Sequence, residues 1–285
     1  MRKANSRGVA LAALEEWRSG RKFADAILAE GLGSGELSPA DRAFATELFY
    51  GVLRNLTLLD FWIGRLRSGH LDYSSRDLLR LGLYQLFLLQ TPEHAAIYET
   101  VELAERRNRA LINKVLRNAV RGKADLLQRA EAQELDVRRS HPQFLINRWR
   151  KNFGAEKTER LCEWNNHAAL VYARINRVKI SDADFVVRYD EVERIQAPDN
   201  FVRLGNVSEE ALAAGHCYIQ DPSTAAACSL LDPQPGERVL DACSAPGGKT
   251  GYLAELMKND GAIVACDRDE HRIGILRDNL ERLGA

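Results

Sequence analysis

Ten residues, Asp241-Ala-Cys-Ser-Ala-Pro-Gly-Gly-Lys-Thr250, constrain this chain more than any others. They continue a short apolar run, Arg238-Val-Leu-Asp-Ala-Cys243, and lead into a helical pattern from about Thr250 to Lys258. Gly261 closes that helix, and Ala262-Ile-Val-Ala-Cys-Asp267 reads as a second strand. His271–Leu283 then reads as a helix with Ile273, Leu276, Leu280 and Leu283 on one face. This strand–loop–helix–strand–helix order is the opening of a doubly wound α/β domain, whose ligands sit at the loops following the strands.

The loop's composition specifies what it can hold. Pro246 stiffens the turn, and Gly247 and Gly248 carry no side chain, so the backbone can approach a ligand closely. The N–H groups at the following helix start favour a negative group. Asp267 ends the second strand 20 residues after Gly247, where a carboxylate can accept hydrogen bonds from ribose hydroxyls. An anion site beside a ribose acceptor suits S-adenosylmethionine, which has a carboxylate at one end and an adenosine at the other. A P-loop is the main rival, because Gly-Lys-Thr occurs at 248–250. That pattern needs glycine at 243, which is Cys243. A dinucleotide GxGxxG is absent as well.

The first third of the chain reads as helical throughout. Ala10, Leu14 and Trp17 recur at helical spacing, as do Phe44, Leu48 and Val52. Ser38-Pro39 with Asp41 predicts one helix start, and Thr91-Pro92 with Glu93 another. The most apolar run, Leu78–Leu89, is broken by Arg80 and Gln85; it is too short to span a bilayer and reads as a buried helix. Around His141-Pro142 the pattern changes. Helical stretches at Gln143–Asn152 and Ala155–Trp164 precede expected strands at Tyr172–Ile180, Phe185–Tyr189 and Phe201–Leu204. The expected domains are therefore 1–138, all-α; 139–230, a small α+β connecting domain; and 231–285, the start of an α/β Rossmann-like domain.

Charge is informative only locally. Lysine plus arginine and aspartate plus glutamate both number 40, so a strongly basic whole-chain footprint for nucleic acid is absent. Between Arg106 and Lys123, however, stand seven basic residues and no acidic one: Arg106, Arg107, Arg109, Lys114, Arg117, Arg121 and Lys123. On a helix, Lys114, Arg117 and Arg121 share one face, and Leu111, Ile112, Val115 and Ala119 the opposite one. A solvated face usually carries both signs; a single-sign stripe attracts phosphates and predicts salt-sensitive RNA binding.

The five cysteines, Cys162, Cys217, Cys228, Cys243 and Cys266, include no CxxC pair, so the usual zinc spacing is missing and no metal ligand is assigned. Each reads most simply as a small buried hydrophobe, with Cys243 and Cys266, at the ends of the first two strands of the α/β domain, as packing or loop positions. An odd cysteine count and no apolar stretch after the basic N-terminus predict a reducing, cytoplasmic setting with no membrane anchor.

At this point a resemblance becomes specific. Gln220-Asp-Pro-Ser-Thr-Ala-Ala-Ala and the segment Leu231 to Thr250 resemble the RNA 5-methylcytosine methyltransferases, whose cofactor motif reads roughly D-x-C-A-A-P-G-G-K-T. The chain departs from it only at Ser244, where the family has alanine. Ala95–Val120, with Val101-Glu-Leu-Ala104 and Leu111-Ile-Asn-Lys-Val-Leu-Arg117, resembles the NusB-like helical domain of the RsmB (Sun/Fmu) subfamily. His141-Pro142 and Arg174-Ile-Asn-Arg177 resemble its connecting region. The resemblance implies S-adenosylmethionine as cofactor, with Cys243, Ser244, Ala245, Pro246, Gly247, Gly248 and Lys249 lining its methionine end and Asp267 holding the ribose. It also implies a cytosine of small-subunit ribosomal RNA as substrate.

The implied chemistry is nucleophilic. A cysteine thiolate adds to C6 of the cytosine, C5 takes the methyl group, and loss of the C5 proton releases the thiol. In the family the two cysteines concerned stand in Pro-Cys and Thr-Cys pairs, and neither pair occurs here. No catalytic residue is assigned; the chain is expected to be C-terminally truncated and inactive alone. The alternative expectation is a non-catalytic, NusB-like RNA-binding protein of transcription or ribosome assembly.

Overall fold

A computed structural model describes residues 5–33 and 37–285, which divide into two compact units, one up to His167 and one from Ala168. The first unit is entirely helical: α1 (Ser6–Trp17), α2 (Ala24–Leu32), α3 (Pro39–Arg54), α4 (Leu56–Leu66), α5 (Tyr73–Phe87), α6 (Glu93–Leu103), α7 (Arg109–Arg121), α8 (Lys123–Glu131), the short α9 (Leu135–Arg138), α10 (Gln143–Phe153) and α11 (Ala155–Asn166). Helix α5 is its axis, with Leu78, Leu79, Leu81, Leu83 and Leu86 buried in one core with Leu14, Leu48, Phe49, Trp62 and Leu116. The two polar residues that break this apolar run are both partnered. Arg80 pairs with Asp77 and Asp60, and Gln85 accepts from Arg7 and donates to Leu81 and Thr100. A helix buried on nearly all sides needs such partners, because an unpaired polar group there costs more than the bond returns.

The helix starts follow their capping residues. Ser38 Oγ accepts from the Asp41 amide 3.1 Å away, with Pro39 opening α3. Pro92 stands at the cap of α6 with Glu93 in the first turn. Asp72, which the sequence reading passed over, caps α5 by accepting from the Ser75 amide at 2.8 Å and from its hydroxyl. Those bonds, the amide first, hold its carboxyl below the usual range. Asp72→Ala is therefore expected to destabilise the helical unit by about 1 kcal/mol near neutral pH in urea titrations. A depressed native value means that this increment is complete above the unfolded carboxylate's pKa of about 3.9 and disappears as pH falls through the native one. Wild type and variant should therefore converge in acid.

Residues 139–167, read from the sequence as the beginning of the connecting region, pack with the helices. Ile146, Cys162 and half-buried Trp149 form a small core with Leu135, while Arg138 and Arg139 pair with Glu159 and Glu163 of α11.

The second unit begins with β1 (Val171–Ile175), α12 (Asp182–Arg188), β2 (Val192–Arg194), β3 (Phe201–Leu204), α13 (Glu209–Ala213) and β4 (Cys217–Ile219). The four strands form an antiparallel sheet in the order β2-β3-β1-β4, a βαββαβ ferredoxin-like arrangement. One expected strand is a helix: Phe185–Tyr189 falls within and just after α12. Ser181 caps that helix by accepting from the Asp184 amide at 3.1 Å, and Phe185 and Tyr189, four residues apart, reach the same core with ring centroids 4.9 Å apart. Their spacing is helical, and two aromatics alone did not distinguish period 4 from period 2. Strands β2 and β4, of three residues each, were too short to leave a pattern.

After a helical turn at Pro222–Thr224 come α14 (Ala225–Leu231), β5 (Arg238–Asp241), α15 (Gly248–Leu256), β6 (Ala262–Ala265) and α16 (Glu270–Leu283). Strands β5 and β6 pair in parallel with Asp241 opposite Ala265, as the strand–loop–helix–strand pattern requires. Val239 and Ile263 face a core with Phe201, Ala225, Tyr252 and Leu253, whereas Leu240 and Val264 on the other sheet face are 66% and 52% exposed. No helix among the described residues is long and apolar enough to cross a membrane.

Candidate cofactor loop and basic helix

The loop between β5 and α15 is built at the carboxyl ends of both parallel strands. Ser244 anchors it: its amide and its hydroxyl both donate to the Cys266 carbonyl, at 2.9 and 2.8 Å. Gly247 turns the chain into α15 with φ near +107°, and a Cβ there would lie 2.9 Å from Leu276 Cδ1. The positive φ demands glycine, and the close Leu276 methyl leaves little room for a side chain. A Cβ on Gly248 would come within 3.0 Å of the Tyr218 ring. No side chain caps α15, so its first-turn N–H groups form an anion-receptive helix start next to two bare glycines.

Asp267 reaches back across the loop. One carboxylate oxygen accepts from the Ala245 amide at 3.2 Å and the other from the Asp269 amide at 3.2 Å; the Arg272 guanidinium lies 3.7 Å away. The Asp269 amide above all, then Arg272 and the Ala245 amide, outweigh burial and hold the carboxyl below the usual range. A carboxylate has about four acceptor positions; these backbone bonds use two, which leaves capacity for ribose hydroxyls. Asp267 is therefore a latch on the loop as well as a potential ligand group, a role the sequence pattern did not disclose.

Further side chains fix the loop, and sequence reading missed them. Thr250 Oγ1 donates to Asp241 at 2.8 Å, tying the first turn of α15 to the end of β5. Arg272 and Asn279 of α16 donate to the carbonyls of Ala245 and Pro246. With these carbonyls engaged by α16, the loop is preorganised. Lys249, Pro246 and Cys243 are exposed, while Ser244, Ala245 and Gly247 are buried.

The cysteines divide unequally. Cys162, Cys217 and Cys228 are buried as expected; Cys243 and Cys266, for which packing and loop positions were both open, are exposed in the loops just beyond β5 and β6. Cys266 directly follows β6 and by strand alternation falls on the same exposed face as Val264, whereas Cys243 lies two residues past β5, in the loop itself. Burial pushes the Cys217 thiol up to about 11 and raises those of Cys162 and Cys228, so none of these three is an activated nucleophile. No cluster of acidic, cysteine or histidine side chains suited to a metal ion occurs among the described residues.

The basic residues span the turn before α7, α7 itself and, with Lys123, the first residue of α8. Ile112, Val115, Leu116 and Ala119 are buried against the helical core, while Leu111, expected among them, is half-buried. Arg106, Arg107, Lys114, Arg117 and Arg121 are exposed. Two of the seven serve the fold. Arg109 pairs with Glu102 at 2.9 Å and donates to the carbonyls of Glu102 and Ala104. Lys123 donates to the Leu86 carbonyl at 2.9 Å and lies over the Phe87 ring. Arg107 pairs with Glu105 at the surface. Charge counting cannot tell an arginine held by the end of a neighbouring helix from a free one.

Comparison with known proteins matches these parts one by one. Residues 4–121 match the NusB family, 141–202 the RsmF/B-like methyltransferase ferredoxin-like domain, and 228–285 the 16S rRNA methyltransferase RsmB/F family. The probable ribosomal RNA small subunit methyltransferase B of Bacillus subtilis is 32% identical over an alignment covering 100% of this chain and 67% of that protein. Ribosomal RNA small subunit methyltransferase B of Shigella flexneri and of Escherichia coli are each 37% identical, over 87% of this chain and 61% of theirs. The chain thus spans about two thirds of the length of these relatives. The crystal structure of PH0851 shares the fold, with a TM-score of 0.70 at 24% identity over 99% of this chain and 68% of that one. The match runs through the cofactor loop, which supports the methyltransferase reading and not the non-catalytic adaptor. A NusB-like helical region, a ferredoxin-like domain and the opening βαβα of a methyltransferase domain, in that order, place the chain in the ribosomal RNA small subunit methyltransferase B family.

Proposed function

We propose that this protein serves transfer of a methyl group from S-adenosylmethionine to C5 of a cytosine in small-subunit ribosomal RNA. The observation that carries this is the latched loop: an uncapped helix start at Gly248, the side-chain-free turn at Gly247, and Asp267 at the end of the next parallel strand. Bound S-adenosylmethionine would supply an electrophilic methyl group. The residues Cys243 to Lys249 would line its methionine end, with the first-turn N–H groups of α15 receiving the carboxylate. Asp267 would hold the ribose while keeping its bonds to Ala245 and Asp269. The exposed Arg106, Lys114, Arg117 and Arg121 would draw the RNA phosphates to the helical unit, and the names of the relatives support ribosomal RNA as that partner. No cysteine of this chain stands in a Pro-Cys or Thr-Cys pair, so the residues present are assigned to cofactor and RNA binding and not to attack on the base.

Titration calorimetry tests the cofactor claim. Saturable heat with S-adenosylmethionine, competed by S-adenosylhomocysteine, is expected; absence of heat for both would remove the reading. RNA affinity should also fall steeply with salt, because each neutralised phosphate of a single strand contributes a slope of roughly 0.7 in log K against log salt.

A further inference from the structure

Helices α6 and α7 leave a groove of about 580 Å³ between them, within the range of roughly 300–1,000 Å³ usual for ligand clefts. Its two walls differ in chemistry. From α6 come His94 and Tyr98, one turn apart, both exposed, with ring planes inclined by only 6° and centroids 6.0 Å apart. From α7 come Arg117 and Arg121, also exposed, with Ile97 and Val120 among the apolar lining residues. Arg117 spends only its Nε, on Asn113 at 3.0 Å; among the described residues its terminal nitrogens have no hydrogen-bond partner. Two acidic groups line the groove. Glu102 is already neutralised by Arg109, and Glu93 lies in the first turn of α6.

Spaced i and i+4 on α6, the two rings support each other and also present a flat, exposed aromatic surface beside the arginines. A core would have buried Tyr98, and a phosphate-only surface would not need it. Stacking platforms beside arginines are how single-stranded RNA is held: unpaired bases lie on the rings while guanidinium groups take the phosphates. A duplex keeps its bases stacked on one another and could use only the arginines. An acidic peptide could likewise use the arginines but would leave the ring faces unfilled.

We infer that the α6–α7 groove binds an unpaired nucleotide of the RNA, with the base stacked on the Tyr98–His94 platform and its phosphates at Arg117 and Arg121. This rests on the reading above that the helical unit contacts RNA, and adds that the contacted strand is single. It also makes Tyr98 a binding residue, which no charge pattern would reveal.

The test is fluorescence anisotropy of the full chain with a labelled oligoribonucleotide, as a single strand and annealed to its complement. Tyr98→Ala should weaken single-strand binding by roughly 5- to 100-fold without changing its salt slope, and leave duplex binding unchanged. Tyr98→Phe should bind like wild type, because the ring face is kept. The double variant Arg117→Gln/Arg121→Gln should instead lower the salt slope by roughly 1.4, at about 0.7 per lost phosphate contact. If Tyr98→Ala binds single strands as wild type does while the arginine variant is weakened, the stacking site is overturned and RNA contact stands. If wild type binds neither form at low salt, RNA contact itself fails and the groove with it. If the groove variants lose affinity for a labelled acidic peptide and not for RNA, the site belongs to a protein partner.

Discussion

Asp267→Ala should weaken S-adenosylmethionine binding by roughly 10- to 100-fold, the range expected when a charged hydrogen-bond acceptor is lost. Two losses act together. The ribose acceptor disappears, and the Ala245 and Asp269 amides, which now donate to this carboxylate, lose their partner. The second loss loosens the turn that presents the α15 N-terminus, so the methionine end should suffer as well as the adenosine end. Asp267→Asn separates the two only partly: its one oxygen can serve one amide, and its NH2 would face the other donor. It should bind more weakly than wild type, and calorimetry on both variants with unchanged circular dichroism would show it. Because the native carboxyl is held below the usual range, it stays ionised across pH 5–8, and cofactor affinity should be flat there on this group's account. Equal affinity of Asp267→Ala and wild type would remove Asp267 from the site.

How far the sequence discloses such a site depends on what kind of information each part carries. The glycine turn and the acid after the second strand are legible because backbone geometry leaves few residue types that fit: φ near +107° at Gly247 admits essentially glycine. The helices of the first unit were legible for a different reason: a one-faced apolar period marks α3 and α7, and α5 stands out as a long, nearly unbroken apolar run. What the sequence did not show are contacts between residues far apart in the chain. That Arg109 and Lys123 are occupied by carbonyls of their own fold depends on where α6 and α5 end, not on the residues beside them. That Cys243 and Cys266 are exposed depends on where β5 and β6 stop. Phe185 and Tyr189 read as a strand because two aromatics four residues apart satisfy both periods; Ser181, the cap that decides it, stood just outside the segment considered.

The Arg174-Ile-Asn-Arg177 segment is the clearest case of a motif whose meaning is long-range. Its Arg174 lies in β1 with its side chain 1% exposed, paired to Glu255 of α15, whose side chain is 7% exposed. Arg174 also donates to Gln220 at 3.1 Å and lies over the Tyr252 ring, while Asn200 donates to Glu255 at 3.1 Å. Asn176 donates to the carbonyls of Gly215 and Leu283, closing the end of α16. The segment therefore fastens the ferredoxin-like sheet to α15 and α16, which flank the loop after β5. Burial lowers the Arg174 pKa and raises that of Glu255 in spite of their mutual attraction, so desolvation dominates at both ends of the pair. Such a pair contributes little net stability, yet removing one member leaves the other charged and buried. Glu255→Leu should accordingly destabilise the second unit by about 3–5 kcal/mol in urea unfolding, and Arg174→Met/Glu255→Leu should recover most of that loss. The carboxyl's raised native value gives a second signature. Between the unfolded value of about 4.3 and the native one, the native state binds the extra proton, so wild type gains stability relative to Glu255→Gln as pH falls through that window. If the double variant were as unstable as Glu255→Leu, the stranded arginine would not be the cause, and the effect would lie instead in the Asn200 and Gln220 hydrogen bonds around it.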